Sequence, residues 1–356
     1  MGSTHHIKFS GPLLKWWRAH GRKNLPWQQE PSVYKTWISE IMLQQTQVIT
    51  VIPYFTKFIN RFPDVDSLAR ASDDDVMSMW SGLGFYSRAR NLHKAAKIII
   101  EDHNSQIPNT YELLITLPGV GRSTAGAILS LSRIEPKAIL DGNVKRVLSR
   151  FYSVQGDLKA TETQKKLWQL AEKCLPLNDY DIYTQAIMDL GATVCTSKKA
   201  MCSICPLSKD CSALEKDIVY MLPNKVLRKK KRRESIYFMI IKDSSQKVLL
   251  QKRQDKGIWG GLWSFPELDT SENIEDWCDK KVGKNLKSLE YGKKLVHGFS
   301  HFDLEINPIF IKINKPIKKQ RNQKIFTTQE ISELGVPKPV KSVSYTHLTL
   351  PTIYSV

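Results

Sequence analysis

Leu117-Pro-Gly-Val-Gly-Arg-Ser-Thr-Ala-Gly-Ala-Ile-Leu129 is the stretch on which the fold turns. Gly119 and Gly121 permit a tight turn with close backbone approach. From Arg122 onward apolar residues recur at helical spacing, so the stretch reads as a turn between two helices. Amides at the start of the second helix can hold a phosphate oxygen. Leu117, Gly119, Val120, Gly121 and Ser123 are therefore candidates for contacts that position DNA without reading its sequence. A plain helix–helix turn is the blander reading of Gly-x-Gly, and the flanking apolar helix weighs against it. Gly82-Leu-Gly84 looks like a second, looser copy.

Outward from this hairpin, residues 10–220 read as helix after helix, with spans predicted at 34–59, 86–103, 122–131, 144–151 and 163–174. The run Lys229-Lys-Lys-Arg-Arg233 reads as an exposed basic linker. Beyond it the pattern turns strand-like: Ile236-Tyr-Phe-Met-Ile-Ile241 and Val248-Leu-Leu250 flank the polar turn Asp243-Ser-Ser-Gln246, and residues 302–313 alternate. A helix is expected over 273–282. The predicted organisation is multi-domain: an all-α domain at 1–222, a basic linker at 223–234 and an α+β domain at 235–342. Residues 343–356 are expected to be non-native, because Val343-Ser-Tyr-Thr-His-Leu348 matches, in one reading frame, a transposon end used in sequencing-library adaptors.

The chain carries 53 Lys+Arg against 35 Asp+Glu, a net +18 that suits a polyanionic partner, DNA or RNA first. It has no apolar run of membrane-spanning length and no apolar signal core at its start, so a cytoplasmic protein is expected. Four of its six cysteines follow the spacing Cys195-x6-Cys202-x2-Cys205-x5-Cys211. Such thiolates can hold a [4Fe-4S] cluster or a zinc ion. The long first gap wraps a loop around the larger object. With Lys198, Lys199 and Lys209, that loop could serve as a rigid staple facing DNA.

Two carboxylates stand out. Glu40 borders the apolar stripe Trp37, Ile38, Ile41 and Met42, where partial desolvation would raise its pKa and keep a proton available. The amide-rich patch Gln44, Gln45, Thr46 and Gln47 follows, suited to base edges. Asp141, in Ile139-Leu-Asp-Gly-Asn-Val-Lys-Arg-Val147, precedes a helix and reads as an N-cap held ionised by helix amides. Each has a plainer reading, a surface Glu and an ordinary cap. Together they are the acid and the anion that glycoside cleavage requires.

These features resemble the helix-hairpin-helix DNA glycosylases that carry an iron–sulfur cluster, and within them the MutY family of adenine DNA glycosylases. The phrases Glu40-Ile-Met-Leu-Gln-Gln-Thr-Gln-Val48, Leu117–Ala127 and Leu140-Asp-Gly-Asn-Val-Lys-Arg-Val147 carry the resemblance, with the cysteine spacing. It implies that Glu40 protonates a flipped adenine at N7 and that Asp141 stabilises the cationic sugar or forms a transient adduct with it. Asn143 would orient the site. Trp27 and Gln185 match positions lining the adenine pocket, and Gln45 and Phe85 match wedges that enter the base stack. The substrate implied is duplex DNA with adenine opposite 8-oxoguanine or guanine, the cofactor a [4Fe-4S] cluster held by Cys195, Cys202, Cys205 and Cys211, and the enzyme a monomer.

Two departures accompany the resemblance. Phe85 stands where the family usually has Tyr, which predicts weaker discrimination. Ser123 stands where endonuclease III relatives carry a Schiff-base lysine, which implies hydrolysis without strand cleavage, although Lys145 is close by. Trp259-Gly-Gly-Leu-Trp-Ser-Phe-Pro266 resembles the entry to a Nudix box, but residues 270–282 lack its acidic metal-binding segment. The second domain is therefore expected to recognise 8-oxoguanine through Phe299-Ser-His301, with Ser300 and His301 as contacts, and to hydrolyse nothing. The alternatives are an endonuclease III-like glycosylase-lyase, a Nudix hydrolase and a catalytically silent damage-binding protein.

Overall fold

The computed structural model describes residues 3–224, 231–316 and 320–348. Residues 225–230 of the expected linker, including Lys229 and Lys230, and residues 349–356 of the tail lie outside the described residues. No helix among the described residues is long and apolar enough to cross a membrane.

The chain begins with twelve α-helices: α1 Ser3–His20, α2 Val33–Leu43, α3 Val48–Arg61, α4 Val65–Arg70, α5 Asp73–Trp80, α6 Ser87–His103, α7 Tyr111–Leu114, α8 Arg122–Leu131, α9 Gly142–Phe151, α10 Thr161–Cys174, α11 Tyr180–Thr193 and α12 Ser212–Glu215. The single helix expected over 34–59 is two helices. Gln45 turns into the left-handed region between them (φ 57°). Tertiary bonds offset that local cost: the Gln44 amide donates to Gly119 O (3.4 Å) and Thr124 Oγ1 (3.2 Å). The Gln44 amide nitrogen is thus engaged with the hairpin.

The molecule divides into two compact units that do not follow chain order. One comprises Met1–Arg70 and Lys94–Arg228, the other Ala71–His93 and Lys229–Val356. In the first, the core that supports the site joins α1, α9, α10 and α11 through Phe9, Leu13, Val144, Leu148, Leu167 and Ile187. Phe9 meets Phe151 edge-on with ring centroids 4.9 Å apart.

The second unit is built on an eight-stranded mixed sheet: β1 Arg232–Lys242, β2 Val248–Lys252, β3 Trp263–Ser264, β4 Glu267–Asp269, β5 Leu286–Tyr291, β6 Leu295–Gly298, β7 Phe302–Ile313 and β8 Gln323–Phe326. The path runs β3-β2-β1-β7-β5, and β4, β6 and β8 pair with β1, β7 and β2. β1 and β7 are parallel and central, with Ile236 opposite Ile306. Strand β1 starts at Arg232, so the last residues of the stretch read as linker already pair in the sheet. α13 Ile274–Lys281 covers one face, packing Cys278 near Met239, Leu268 and Ile309. α14 Thr328–Glu333 and α15 Lys338–Val343 follow, and a π-helical turn at Ser344–Leu348 ends the described chain.

Residues 71–93 pack with this sheet through specific polar ties. Asp74 accepts from Trp263 Nε1 (3.1 Å) and pairs with Lys252 (2.8 Å). Ser81 donates to Val336 O (2.9 Å), and Arg90 to Gly260 O (2.5 Å).

Candidate active site

Asp141 is the N-cap of α9, as its position before Gly142 predicts. Its Oδ1 accepts from Val144 N (2.8 Å) and its Oδ2 from Asn143 Nδ2 (3.2 Å). The Asn143 carbonyl oxygen in turn accepts from Arg146 (2.9 Å). That guanidinium also donates to Gly191 O (2.6 Å) and Cys195 O (2.7 Å). Asn143 is therefore locked between α9 and α11. A Cβ at Gly191 would come within 2.6 Å of Asn143 Cβ, so this close approach requires glycine.

Glu40 sits near the end of α2, beside the buried Trp37, Ile38 and Ile41. Burial is the main cause that pushes its carboxyl up to about 8, and the negative charge of Asp141 adds to the rise. The two carboxylates thus lie close enough for one to act on the other. At neutral pH Glu40 keeps its proton. At Asp141 desolvation outweighs the amide hydrogen bonds and the Arg146 charge, so its pKa is raised from the ordinary aspartate value. The cap geometry was foreseen, but the depth at which it is buried was not.

Ser123, on α8, accepts a hydrogen bond from Leu140 N (3.0 Å), the residue before Asp141. The hairpin is present: α7, the turn with Gly119 at φ 82°, then α8 starting at Arg122. Val120 N bonds Leu117 O (3.1 Å) across the turn. Lys145 is partly buried, which lowers its pKa, while Asp141 opposes that shift.

Trp27 and Gln185 line one cavity of about 550 Å³, together with Thr36 and Ser39 of α2. Glu40 and Asp141 are not among its lining residues. The link is through the helices: α2 carries Ser39 into the cavity and Glu40 next to it, and α11 carries both Gln185 and Gly191. Trp27 is buried edge-on against Phe55.

Gln45 and Phe85 share an unusual trait: both are non-glycine residues in the left-handed region (φ 57° and 48°). Phe85 is 45% exposed, with the Arg88 guanidinium over its ring. It belongs to the second unit, as do Ser300 and His301, exposed residues between β6 and β7 whose side chains bond each other (3.2 Å). Phe299 beneath them stacks on Phe302 with centroids 4.6 Å apart.

Cys195, Cys202, Cys205 and Cys211 are all free and line one cavity with Arg150. Arg150, only 2% exposed, donates to Cys195 Sγ (3.3 Å), Thr196 O (2.8 Å) and Leu222 O (2.9 Å). Burial, with the other three sulfurs, pushes Cys205 up to about 12. Four such thiols can ionise together only around a cationic group, and they fit a thiolate-ligated cluster. Among the described residues no three or more His, Cys, Asp or Glu groups converge as a single-ion site. Arg146 and Arg150 were missed in the sequence. Their i, i+4 spacing on α9 was the available signal.

Residues 38–173 match the HhH-GPD superfamily of base excision DNA repair proteins, and residues 236–344 match the NUDIX domain. The chain is 40% identical over 341 residues to the adenine DNA glycosylase of Buchnera aphidicola subsp. Schizaphis graminum, covering 94% of this chain and 97% of that one. It is 33% identical to the mouse adenine DNA glycosylase, covering 83% and 69% of the two chains. Among solved structures, a thermostable thymine-DNA glycosylase aligns with a TM-score of 0.54 and 27% identity, over 59% of this chain and 97% of that one.

Proposed function

The chain belongs to the adenine DNA glycosylase family, and from that premise we propose that it hydrolyses the N-glycosidic bond of adenine opposite 8-oxoguanine or guanine in duplex DNA. The observation that carries the mechanism is the unequal carboxylate pair: Glu40 is raised to about 8 by burial and by the nearby charge of Asp141, and Asp141 is held by Val144 N and Asn143. Glu40 donates its proton to the extruded adenine at N7, which makes the base a better leaving group. As the bond breaks, positive charge develops on the sugar, and the Asp141 anion stabilises it or adds to it transiently. Water completes hydrolysis. Asn143, fixed by Arg146, keeps the Asp141 carboxylate turned to that task.

Trp27 and Gln185 bound the base-binding cavity. Gln45 and Phe85, each at a turn in the left-handed backbone region, enter the base stack as wedges. Ser123 offers no amine, and its hydroxyl is engaged by Leu140 N, so the enzyme is monofunctional. Ser300 and His301 read the oxidised guanine. The four cysteines hold a [4Fe-4S] cluster, which supplies a rigid covalent staple for its loop. DNA binds through the hairpin amides and the basic surface.

The test uses three substrates: duplex with adenine opposite 8-oxoguanine, duplex with thymine glycol, and free 8-oxo-dGTP. Adenine release from the first alone, with strand breaks only after alkali, is expected. Cleavage at thymine glycol without alkali would overturn the reading. A brown protein with broad visible absorption supports the cluster, and a colourless zinc-loaded one contradicts it.

A further inference from the structure

Gln185 is 9% exposed and faces the cavity that Trp27 shares. An amide side chain can present either its carbonyl or its NH2 to a ligand, and the two choices recognise opposite partners. One helical turn on, Asp189 removes the choice. It is 1% exposed and accepts five hydrogen bonds. Trp17 Nε1 and Arg22 N reach Oδ2, both at 2.9 Å. Arg22 Nε (2.9 Å), Arg22 Nη2 (2.5 Å) and Gln185 Nε2 (3.0 Å) reach Oδ1. All five donors reach its two oxygens, so the carboxylate serves here only as an acceptor. Only the NH2 end of Gln185 can face it, because a flipped amide would set oxygen against oxygen. With Nε2 turned to Asp189, the Gln185 carbonyl is the acceptor this residue can offer a ligand, beside the second Nε2 hydrogen.

We propose that Asp189 is a positioning residue that sets the hydrogen-bond polarity of the base pocket: by holding the Gln185 amide in one orientation, it makes the pocket accept a purine bearing an exocyclic amine and reject one bearing a carbonyl there. The inference rests on the adenine-glycosylase reading and deepens it. Trp17 and Arg22, from the end of α1 and the loop after it, anchor Asp189. The selectivity of a side chain in the cavity thus depends on a salt bridge outside its lining.

The experiment measures single-turnover release of adenine, purine and hypoxanthine placed opposite 8-oxoguanine in the same duplex. Purine lacks the exocyclic group, so it reports whether chemistry and folding are otherwise intact. The wild-type chain should favour adenine over hypoxanthine. In Asp189→Asn the neighbouring side chain can itself donate, so Gln185 is free to flip. The adenine-to-hypoxanthine ratio should then fall about tenfold, the order expected for one mis-set hydrogen bond, relative to any common loss seen with purine. Equal losses on all three bases would show that Asp189 only supports the fold and would overturn the proposal. Should Asp189→Asn fail to fold, Arg22→Met, which removes the guanidinium that holds Asp189, gives the decision: a selective fall in the adenine-to-hypoxanthine ratio supports the assignment, and an unchanged ratio defeats it. If the wild-type chain releases no adenine, the glycosylase reading itself fails. If it does release adenine and both ratios hold, only this inference does.

Discussion

The carboxylate pair in the helical unit and the Ser300–His301 loop in the sheet unit are held in opposite ways. Asp141 is fixed by a helix amide and by Asn143, which is itself clamped by Arg146, and Glu40, on a largely buried helix, feels its charge. Ser300 and His301 are exposed, and the bond between their side chains is a local one. Preorganised charge suits a group that must act on a transition state without rearranging. An exposed pair suits contact with a base that arrives later. Changes in the first region should therefore abolish chemistry on every mispair, whereas changes in the second should alter which mispair is preferred.

The sharpest way to break that contrast is Glu40→Gln. It should lower adenine release by about 10²- to 10⁴-fold on both A:8-oxoguanine and A:G duplexes while leaving DNA binding in place, as read by single-turnover release and gel shift. Asp141→Asn should cost about 10²- to 10³-fold, again equally on both duplexes. Ser300→Ala should leave release from A:G unchanged and reduce the preference for A:8-oxoguanine by up to about tenfold, one lost hydrogen bond. Lys145→Ala should leave the alkali dependence of strand breaks as it was. A Ser300→Ala variant that loses both substrates equally would erase the distinction between the two regions.

Stability gives an independent reading of the same contrast. The Glu40 carboxyl is raised in the folded chain from its ordinary 4.5 to about 8. The folded state therefore holds a proton that the unfolded chain releases, and stability falls as pH rises between those two values. Glu40→Gln, which carries no charge to bury, should match the wild type in Tm near pH 4 and exceed it by a margin that grows up to about pH 8. A constant difference across that range would mean that Glu40 is solvated.

Much of this architecture was legible in the residues. The hairpin helix at 122–131, the cap at Asp141, strand β7 at Phe302–Ile313 and the four-cysteine cavity follow from local rules of turn, cap, alternation and spacing. What was hidden is tertiary. The break in the 34–59 helix depends on Gln44 reaching Gly119 and Thr124, a partner 75 residues away and another 80. The raised pKa of Asp141 depends on burial that capping chemistry cannot reveal. The packing of residues 71–93 with the sheet rests on ties such as Trp263 to Asp74 across 189 residues, which no local periodicity encodes. Asp189 carries no local sequence signal, because its partners Trp17 and Arg22 lie 172 and 167 residues away.

The pH dependence of single-turnover adenine release probes the paired acids most directly. The rate should fall above about pH 8 as Glu40 loses its proton. It should also fall in acid, at a pH above the ordinary aspartate range, as Asp141 gains one. The alkaline limb should vanish from the residual activity of Glu40→Gln. A wild-type rate that climbs through pH 8, or an alkaline limb that survives in Glu40→Gln, would contradict the assignment of Glu40 as the proton donor.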